Sequence, residues 1–240
     1  MTTPARPSLA AQRRYWDERW DHQRLPNDYQ RRRGDTVLAL LRSLRLRDPA
    51  ILDFGCGTGW FTAELSRVGR ATGIDLSETA ITHARAAHPH VPFIAANLFA
   101  ISFRPEQFDV VVSQEVLAHV QDPPKYLDLI ARVLAPKGYL IITTANRLVM
   151  ERWDHGGPDP DAHLKLYLNR REFRRALRPW FRVLRTTSII PLGNRGPLRL
   201  VNSTKLNRVL GRVIPPPYIE RLKEWAGLGY TLIALAQKRS

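Results

Sequence analysis

The stretch LDFGCGTG, residues 52–59, sets Gly55, Gly57 and Gly59 directly behind a short apolar run and directly ahead of a helix-forming segment. Glycines at a strand-to-helix turn let the backbone approach a ligand that a Cβ would hold off. The next apolar run, ATGID (71–75), ends on Asp75, about twenty residues on, the usual distance to a ribose in such units. A carboxylate there accepts from both ribose hydroxyls and repels a 2′-phosphate. A plain tight turn would explain the glycines alone, but not the glycines and the aspartate in one βαβ unit. The dinucleotide fingerprint places its third glycine sixth; here Gly59 is fifth and Trp60 sixth, so the spacing is G-x-G-x-G.

The surroundings repeat the alternation. Strands are expected at 50–54, 71–75, 91–96, 108–113 and 138–144, with helices at 60–68, 77–87 (capped by Ser77) and 124–134. Upstream, 8–22 and 35–44 read as helices, the second capped by Asp35. Downstream, 169–177 reads as a helix, with strands at 181–190 and 230–238. Strands alternating with helices of this length predict an α/β fold with a parallel sheet covered on both faces. The expected organisation is one domain over 1–240. Residues 1–45 form a helical cover, 46–190 and 230–240 the core, and 191–229 a basic insertion before the last strand.

Composition bounds the rest. The chain has 240 residues, one cysteine and a formal charge of +15. One cysteine excludes an internal disulfide and suits a reducing compartment. No apolar run is long enough to cross a bilayer, and the first residues lack the pattern of a secretory leader, so a cytoplasmic location is expected. The positive charge fits an anionic partner or an arginine-rich composition, since the basic residues are spread along the chain.

LDFGCGTGWFTAEL resembles the first motif of class I S-adenosylmethionine-dependent methyltransferases. FDVVVSQEVLAHVQDP and RVLAPKGYLIITTAN resemble their fourth- and fifth-strand segments, in order from about residue 50 to 146. The resemblance implies a Rossmann-like, doubly wound sheet, mostly parallel with the last strand antiparallel. It also implies S-adenosyl-L-methionine as cofactor and S-adenosyl-L-homocysteine as product. Asp53 and the loop of Gly55, Cys56, Gly57, Gly59 and Trp60 would face the methionine end. Asp75 would take the ribose, Asn97 the adenine edge, and Leu76 and Leu98 the base faces; Gln114 would border the cofactor at the end of the fourth strand. Tyr29 and Arg32, by placement, are candidates for the cofactor carboxylate. Cys56 is expected to be a small loop residue without special reactivity.

An activated sulfonium needs mainly an aligned acceptor and excluded water, and a hydroxyl acceptor also needs a base. The Asn/Asp-Pro-Pro-aromatic motif of amino-group methyltransferases belongs at the end of the fourth strand, where this chain has SQEV. DPPK (122–125) and PPPY (215–218) lie elsewhere. Cytosine-5 chemistry would want a cysteine there, and none is present. QEVLAH (114–119) instead resembles the Glu-x-x-Glu-His of ubiquinone-type O-methyltransferases and small-RNA 2′-O-methyltransferases. In metal-using members both glutamates, this histidine and a later one hold a divalent cation. Ala118 replaces the second glutamate, which weakens a hard-cation site, so no metal is expected. His119 and His163 are candidate bases, and Glu115, four residues before His119, would orient it on one helical face. A purely structural His119 is the alternative.

Between 191 and 229, Leu198, Leu200, Leu206, Val209, Leu210 and Val213 alternate with Arg199, Lys205, Arg208 and Arg212. Three readings stand: an ordinary helix on the sheet, a lid over the acceptor pocket, or peripheral contact with an anionic membrane. Tyr15, Trp16 and Trp20 offer a second cover. The preferred partner is a small or lipid-linked hydroxyl acceptor. RNA is compatible with the charge, but no RNA-binding module is recognisable. A cofactor-binding scaffold without turnover is the non-enzymatic alternative. An NAD(P) oxidoreductase is disfavoured by the glycine spacing and by the absence of a Tyr-x-x-x-Lys pair.

Overall fold

Strands buried on both faces read as near-continuous apolar runs, and the runs named above are of that kind. The computed structural model describes residues 7–152 and 166–239. In it β1 (Ala50–Phe54), β2 (Arg70–Asp75), β3 (Phe93–Ala95), β4 (Phe108–Gln114), β5 (Leu134–Ala145), β6 (Phe181–Pro191) and β7 (Gly229–Lys238) form one sheet. Its order is β3-β2-β1-β4-β5-β7-β6. The pairs from β3 to β5 are parallel, and β7 runs antiparallel to both β5 and β6. This is the Rossmann-like sheet expected from the sequence.

The side chains sort by the period of two. Leu52, Phe54, Val111, Leu140 and Ile142 join one apolar layer, with α5 (Pro123–Val133) and α7 (Arg170–Leu177) upon it. Ile51, Val110, Val112 and Ile141 join the other, beneath α2 (Asp28–Ser43) and α3 (Trp60–Leu65). α4 (Glu78–Ala87) is capped by Ser77 as expected, its hydroxyl accepting from the Ala80 amide at 3.0 Å. Three helices, α8 (Gly196–Val201), α9 (Thr204–Leu210) and α10 (Pro216–Trp225), occupy the stretch before β7, and α6 (Arg147–Met150) follows β5.

Two expectations are corrected here. α2 starts seven residues before Asp35, because Asn27 and Gln30 form a reciprocal capping box. The segment after β4 is not an α-helix: Glu115 has φ 61° and only Leu117–His119 turn, as a 3₁₀ helix. Glu115 and His119 therefore do not share a helical face.

α1 (Leu9–His22) lies across the N-terminus of α4. The Asp17 carboxylate accepts from the Ser77 hydroxyl at 2.5 Å and from the Thr79 amide at 3.3 Å. Its leading end is tied by Gln121, whose Nε2 donates to the Pro7 carbonyl at 2.6 Å. α1 thereby roofs the carboxyl ends of the parallel strands, where the strand order reverses between β1 and β4. Crevices at such switch points are where open α/β sheets bind ligands.

Candidate functional site

A cavity of about 810 Å³ lies under that roof. Its floor comes from the strand ends: Asp53, Gly55, Cys56 and Gly57 after β1, Asp75 and Leu76 after β2, and Asn97 and Leu98 after β3. Gln114, Glu115, Ala118 and His119 follow from β4. The roof is Gln12, Tyr15, Trp16, Arg19 and Trp20 of α1, and α2 contributes Tyr29 and Arg33.

The glycine turn is built by backbone geometry that only glycine adopts cheaply. Gly57 has φ 53°, and its amide donates to Asp75 Oδ2 at 2.8 Å. The Ser77 amide donates to Asp75 Oδ1 at 3.0 Å. Both oxygens are thus fixed by backbone donors while the side chain lines the cavity. Burial raises the Asp75 carboxyl above its ordinary range, and these amides oppose the rise. Gly59 does not border the cavity: a Cβ there would meet the Phe93 ring at 2.6 Å and Ala84 Cβ at 2.8 Å. Its glycine allows close packing of the turn against the next βα unit. Cys56 is buried and its thiol is pushed up by burial, then by Asp75 and Asp53.

Asp53 accepts from the Thr62 hydroxyl at 2.7 Å. Burial raises its carboxyl to about 7, with Asp75 adding to the rise and Thr62 and Arg33 opposing it. The folded protein holds this proton over a range where the unfolded chain, near 3.8, has released it. Stability from Asp53 is thus present at low pH and lost as pH rises towards the folded value. The melting temperature of the wild type is expected to rise more on acidification from about pH 8 to about pH 6 than that of Asp53→Asn. Identical pH profiles of the two in a thermal melt would remove Asp53 from this account.

The buried cation of the site is Arg33, not Arg32; Arg19 of the roof is a second, exposed one. Arg33 Nε donates to Gln114 Oε1 at 3.0 Å, and its Nη1 lies 3.7 Å from Glu115 Oε1. Burial lowers its pKa, and Glu115, Tyr230 and Asp53 oppose the fall. Arg32, one residue earlier on the helix, points away and pairs with Glu224 at 2.5 Å. Sequence reading missed Arg33 because it started α2 at Asp35. Starting from the NDYQ capping box, the buried positions Val37 and Leu41 extend back to Arg33 at helical spacing.

Glu115 is held between β5 and α2. It accepts from the Thr143 hydroxyl at 2.9 Å in addition to its ion pair with Arg33. Burial raises its carboxyl, with Arg33 and Thr143 opposing the rise. The shared helical face anticipated from spacing is absent, and Glu115 is held by this network. His119 lines the cavity with its ring edge-on to Trp16, centroids 5.0 Å apart. His163 lies outside the described residues, among which no group of three or more His, Cys, Asp or Glu gathers as a metal site.

At the opposite end, Asn97 Oδ1 accepts from the Phe99 amide at 3.0 Å, which leaves the Asn97 amide hydrogens as donors at the cavity. Leu76 and Leu98 line the same end. Tyr167 and Tyr230, which the sequence reading did not single out, also border the cavity. Their signal was weak, because each lies where segments distant in sequence meet.

The doubly wound sheet with one antiparallel strand, a glycine turn after β1 and a buried carboxylate after β2 define the class of S-adenosylmethionine-dependent methyltransferase folds. Residues 52–142 match the family described as "Methyltransferase domain". Over 105 residues it is 40% identical to the ubiquinone biosynthesis O-methyltransferase of Caulobacter sp. (strain K31), covering 40% of this chain and 41% of that protein. Over 99 residues it is 34% identical to a Mycobacterium tuberculosis protein named "Probable S-adenosylmethionine-dependent methyltransferase", covering 41% of this chain and 36% of the relative. The chain thus matches about two fifths of the length of these relatives.

Among solved structures, the N-methyltransferase NodS from Bradyrhizobium japonicum WM9, in complex with S-adenosyl-L-homocysteine, superposes with a TM-score of 0.64 at 18% identity. It covers 94% of this chain and 99% of its own. The (4+2)-cyclase SpnF superposes with a TM-score of 0.65 at 19% identity, covering 98% of this chain and 97% of its own. These likenesses show the fold.

Proposed function

We propose that this protein transfers the methyl group of S-adenosyl-L-methionine to a hydroxyl of a small or lipid-linked acceptor. The observation that carries the cofactor reading is one cavity with a backbone-held carboxylate, Asp75, at one part and a buried guanidinium, Arg33, beside Asp53 at another. S-adenosylmethionine has the matching groups, a ribose diol and an amino-acid head. Asp75 would accept from the diol. Asn97 would donate to the adenine edge, with Leu76 and Leu98 against its faces. Arg33 would pair with the carboxylate, while Asp53, Gly55, Cys56, Gly57, Trp60, Tyr29 and Gln114 line the remainder. The cofactor supplies an activated methyl group, and this chain's residues supply position, dryness and a proton acceptor.

The hydroxyl acceptor is favoured by what borders the cavity after β4. Glu115 is engaged by Arg33 and Thr143, and His119, which lines the same part of the cavity, is the residue to which we assign receipt of the proton. The roof of Trp16, Trp20 and Tyr15 suits an apolar or aromatic acceptor such as a quinone precursor, a glycolipid sugar or a natural product. With Ala118 beside it and Glu115 engaged, no divalent metal is assigned to the reaction.

Arg33→Gln tests the cofactor part. A lost charge-assisted hydrogen bond costs roughly 1.5–3 kcal/mol, so S-adenosylhomocysteine affinity is expected to fall about 10- to 100-fold. Arg32→Ala should leave it unchanged. Equal losses in the two variants, measured by calorimetric titration, would exclude Arg33 as the specific partner.

The transfer itself is tested with methyl-labelled S-adenosylmethionine and extract of the source cells, followed by organic–aqueous partition. Label in the organic phase is the expected result for a quinone or lipid acceptor. Aqueous label released by nuclease would make the acceptor RNA. Binding without label in either phase would leave a scaffold without turnover.

A further inference from the structure

Leu206, Val209, Leu210 and Val213 fall at i, i+3, i+4 and i+7, the spacing of a helical face that globular proteins turn inward. In this protein the face is turned outward. α9 buries no residue, and the turn continuing it carries Val213; Val209 is 59% exposed and Val213 86%. Packing of this segment onto the body is done by others, chiefly Leu198 of α8 and Ile219 of α10. Leu200 at 69% and Trp225 at 74% exposure extend the apolar surface on the neighbouring helices. The reading of an ordinary helix packed on the sheet thus holds for α10, which lies against β6, and fails for α9.

The charge around this face has one sign. Arg199, Lys205, Arg208, Arg212 and Arg221 are all exposed. The acids of residues 191–229 are Glu220 and Glu224, and each is already engaged, with Lys223 at 2.9 Å and Arg32 at 2.5 Å. The surface is therefore apolar, bordered by cations, with its carboxylates neutralised. We propose that it docks this protein onto an anionic lipid membrane.

A lipid surface uses both halves of this chemistry. Acyl chains and headgroups take Val209, Val213, Leu200 and Trp225, while anionic headgroups take the arginines. Nucleic acid would use the arginines and leave the aliphatic side chains in water. A symmetric dimer through this face would set the same cations against themselves. Leu192 and Tyr230, which flank the segment that carries this face, line the cavity. The docking does not rest on the proposed function.

The test is co-sedimentation of the full chain with phosphatidylcholine vesicles and with vesicles that also contain phosphatidylglycerol. Binding to the mixed vesicles alone, weakened by salt, is expected. A basic residue near an anionic surface contributes about 1 kcal/mol, so Arg208→Gln with Arg212→Gln should lower the partition about 30-fold. Val209→Asp with Val213→Asp should lower it at least as far. Both variants alter exposed side chains outside the cavity, and both should keep wild-type S-adenosylhomocysteine affinity, which certifies their fold.

No binding to either vesicle, equal binding to both, or unchanged partition of the folded variants would overturn the proposal. So would a concentration-dependent dimer that Val213→Asp dissolves, which gives the face to a second copy, or nuclease-releasable nucleic acid bound through the arginines. Vesicle binding is read without turnover. A chain that binds vesicles but transfers no methyl group loses the proposed function and keeps this surface.

Discussion

Asp75→Ala is expected to weaken S-adenosylhomocysteine binding by about 10²–10⁴-fold, from the loss of two hydrogen bonds to a charged group at roughly 1.5–3 kcal/mol each. The carboxylate is prepared for that role by the Gly57 and Ser77 amides, which hold one oxygen each. Alanine removes the ligand's partner and also leaves the Gly57 amide, at the centre of the turn, without its acceptor. Asp75→Asn separates the two effects. Its amide retains the volume and one acceptor, so its loss should be smaller than alanine's. Because burial raises the Asp75 carboxyl, wild-type affinity is also expected to fall as pH drops through the raised value. The asparagine variant should lack that component. Calorimetric titration of the three proteins across pH measures both effects. An unaltered affinity in Asp75→Ala would remove this residue from the cofactor site and with it the principal support for the proposed function.

His119→Ala is expected to keep cofactor affinity within about twofold while lowering the turnover number by about 10²–10⁴, the usual contribution of a positioned base. The separation follows from placement. His119 is on the post-β4 turn against Trp16, whereas Asp75, Asn97 and Arg33 belong to other elements. His119→Asn, which keeps a hydrogen-bonding group without a titratable one, should be equally slow. A structural His119 would give a different pattern: melting temperature and cofactor affinity would fall together, and turnover at saturation would survive. Labelled-methyl transfer at saturating cofactor, read beside a thermal melt, tells these apart.

Where the sequence was legible, local pattern and tertiary demand agreed. β1 coincides with the run AILDF, because a strand covered on both faces must be buried along nearly its whole length, Asp53 included. Ser77 was readable as a cap because its side chain bonds an amide three residues on. Asp53, the glycine turn, Asp75, Leu76, Asn97, Leu98 and Gln114 all lie at or just past a strand end, so once the strands were found the family resemblance could assign them to the cofactor. Arg33 was missed for the opposite reason. It enters from α2, outside the βα alternation, and its rotational position depended on a helix start carried by Asn27 and Gln30. The pairing of Glu115 with His119 was misjudged because a left-handed φ at Glu115 breaks the helix that the spacing implied.

By itself, then, the sequence determined what periodicity and turn chemistry encode. These are a parallel sheet covered on both faces, a glycine turn after the first strand and a carboxylate after the second; the antiparallel last strand was implied only by the family resemblance. Such features span few residues and are dictated by backbone sterics and by which positions must be apolar. Tertiary structure decided what depends on elements distant in sequence. It set Arg33 against Gln114 and Glu115, and it brought Trp16 from the first helix onto His119. The same holds for α9. The pattern Leu206, Val209, Leu210, Val213 states that one face is apolar, but periodicity has no sense of direction. Only the packing of Leu198 and Ile219 beneath these helices turned the α9 face outward.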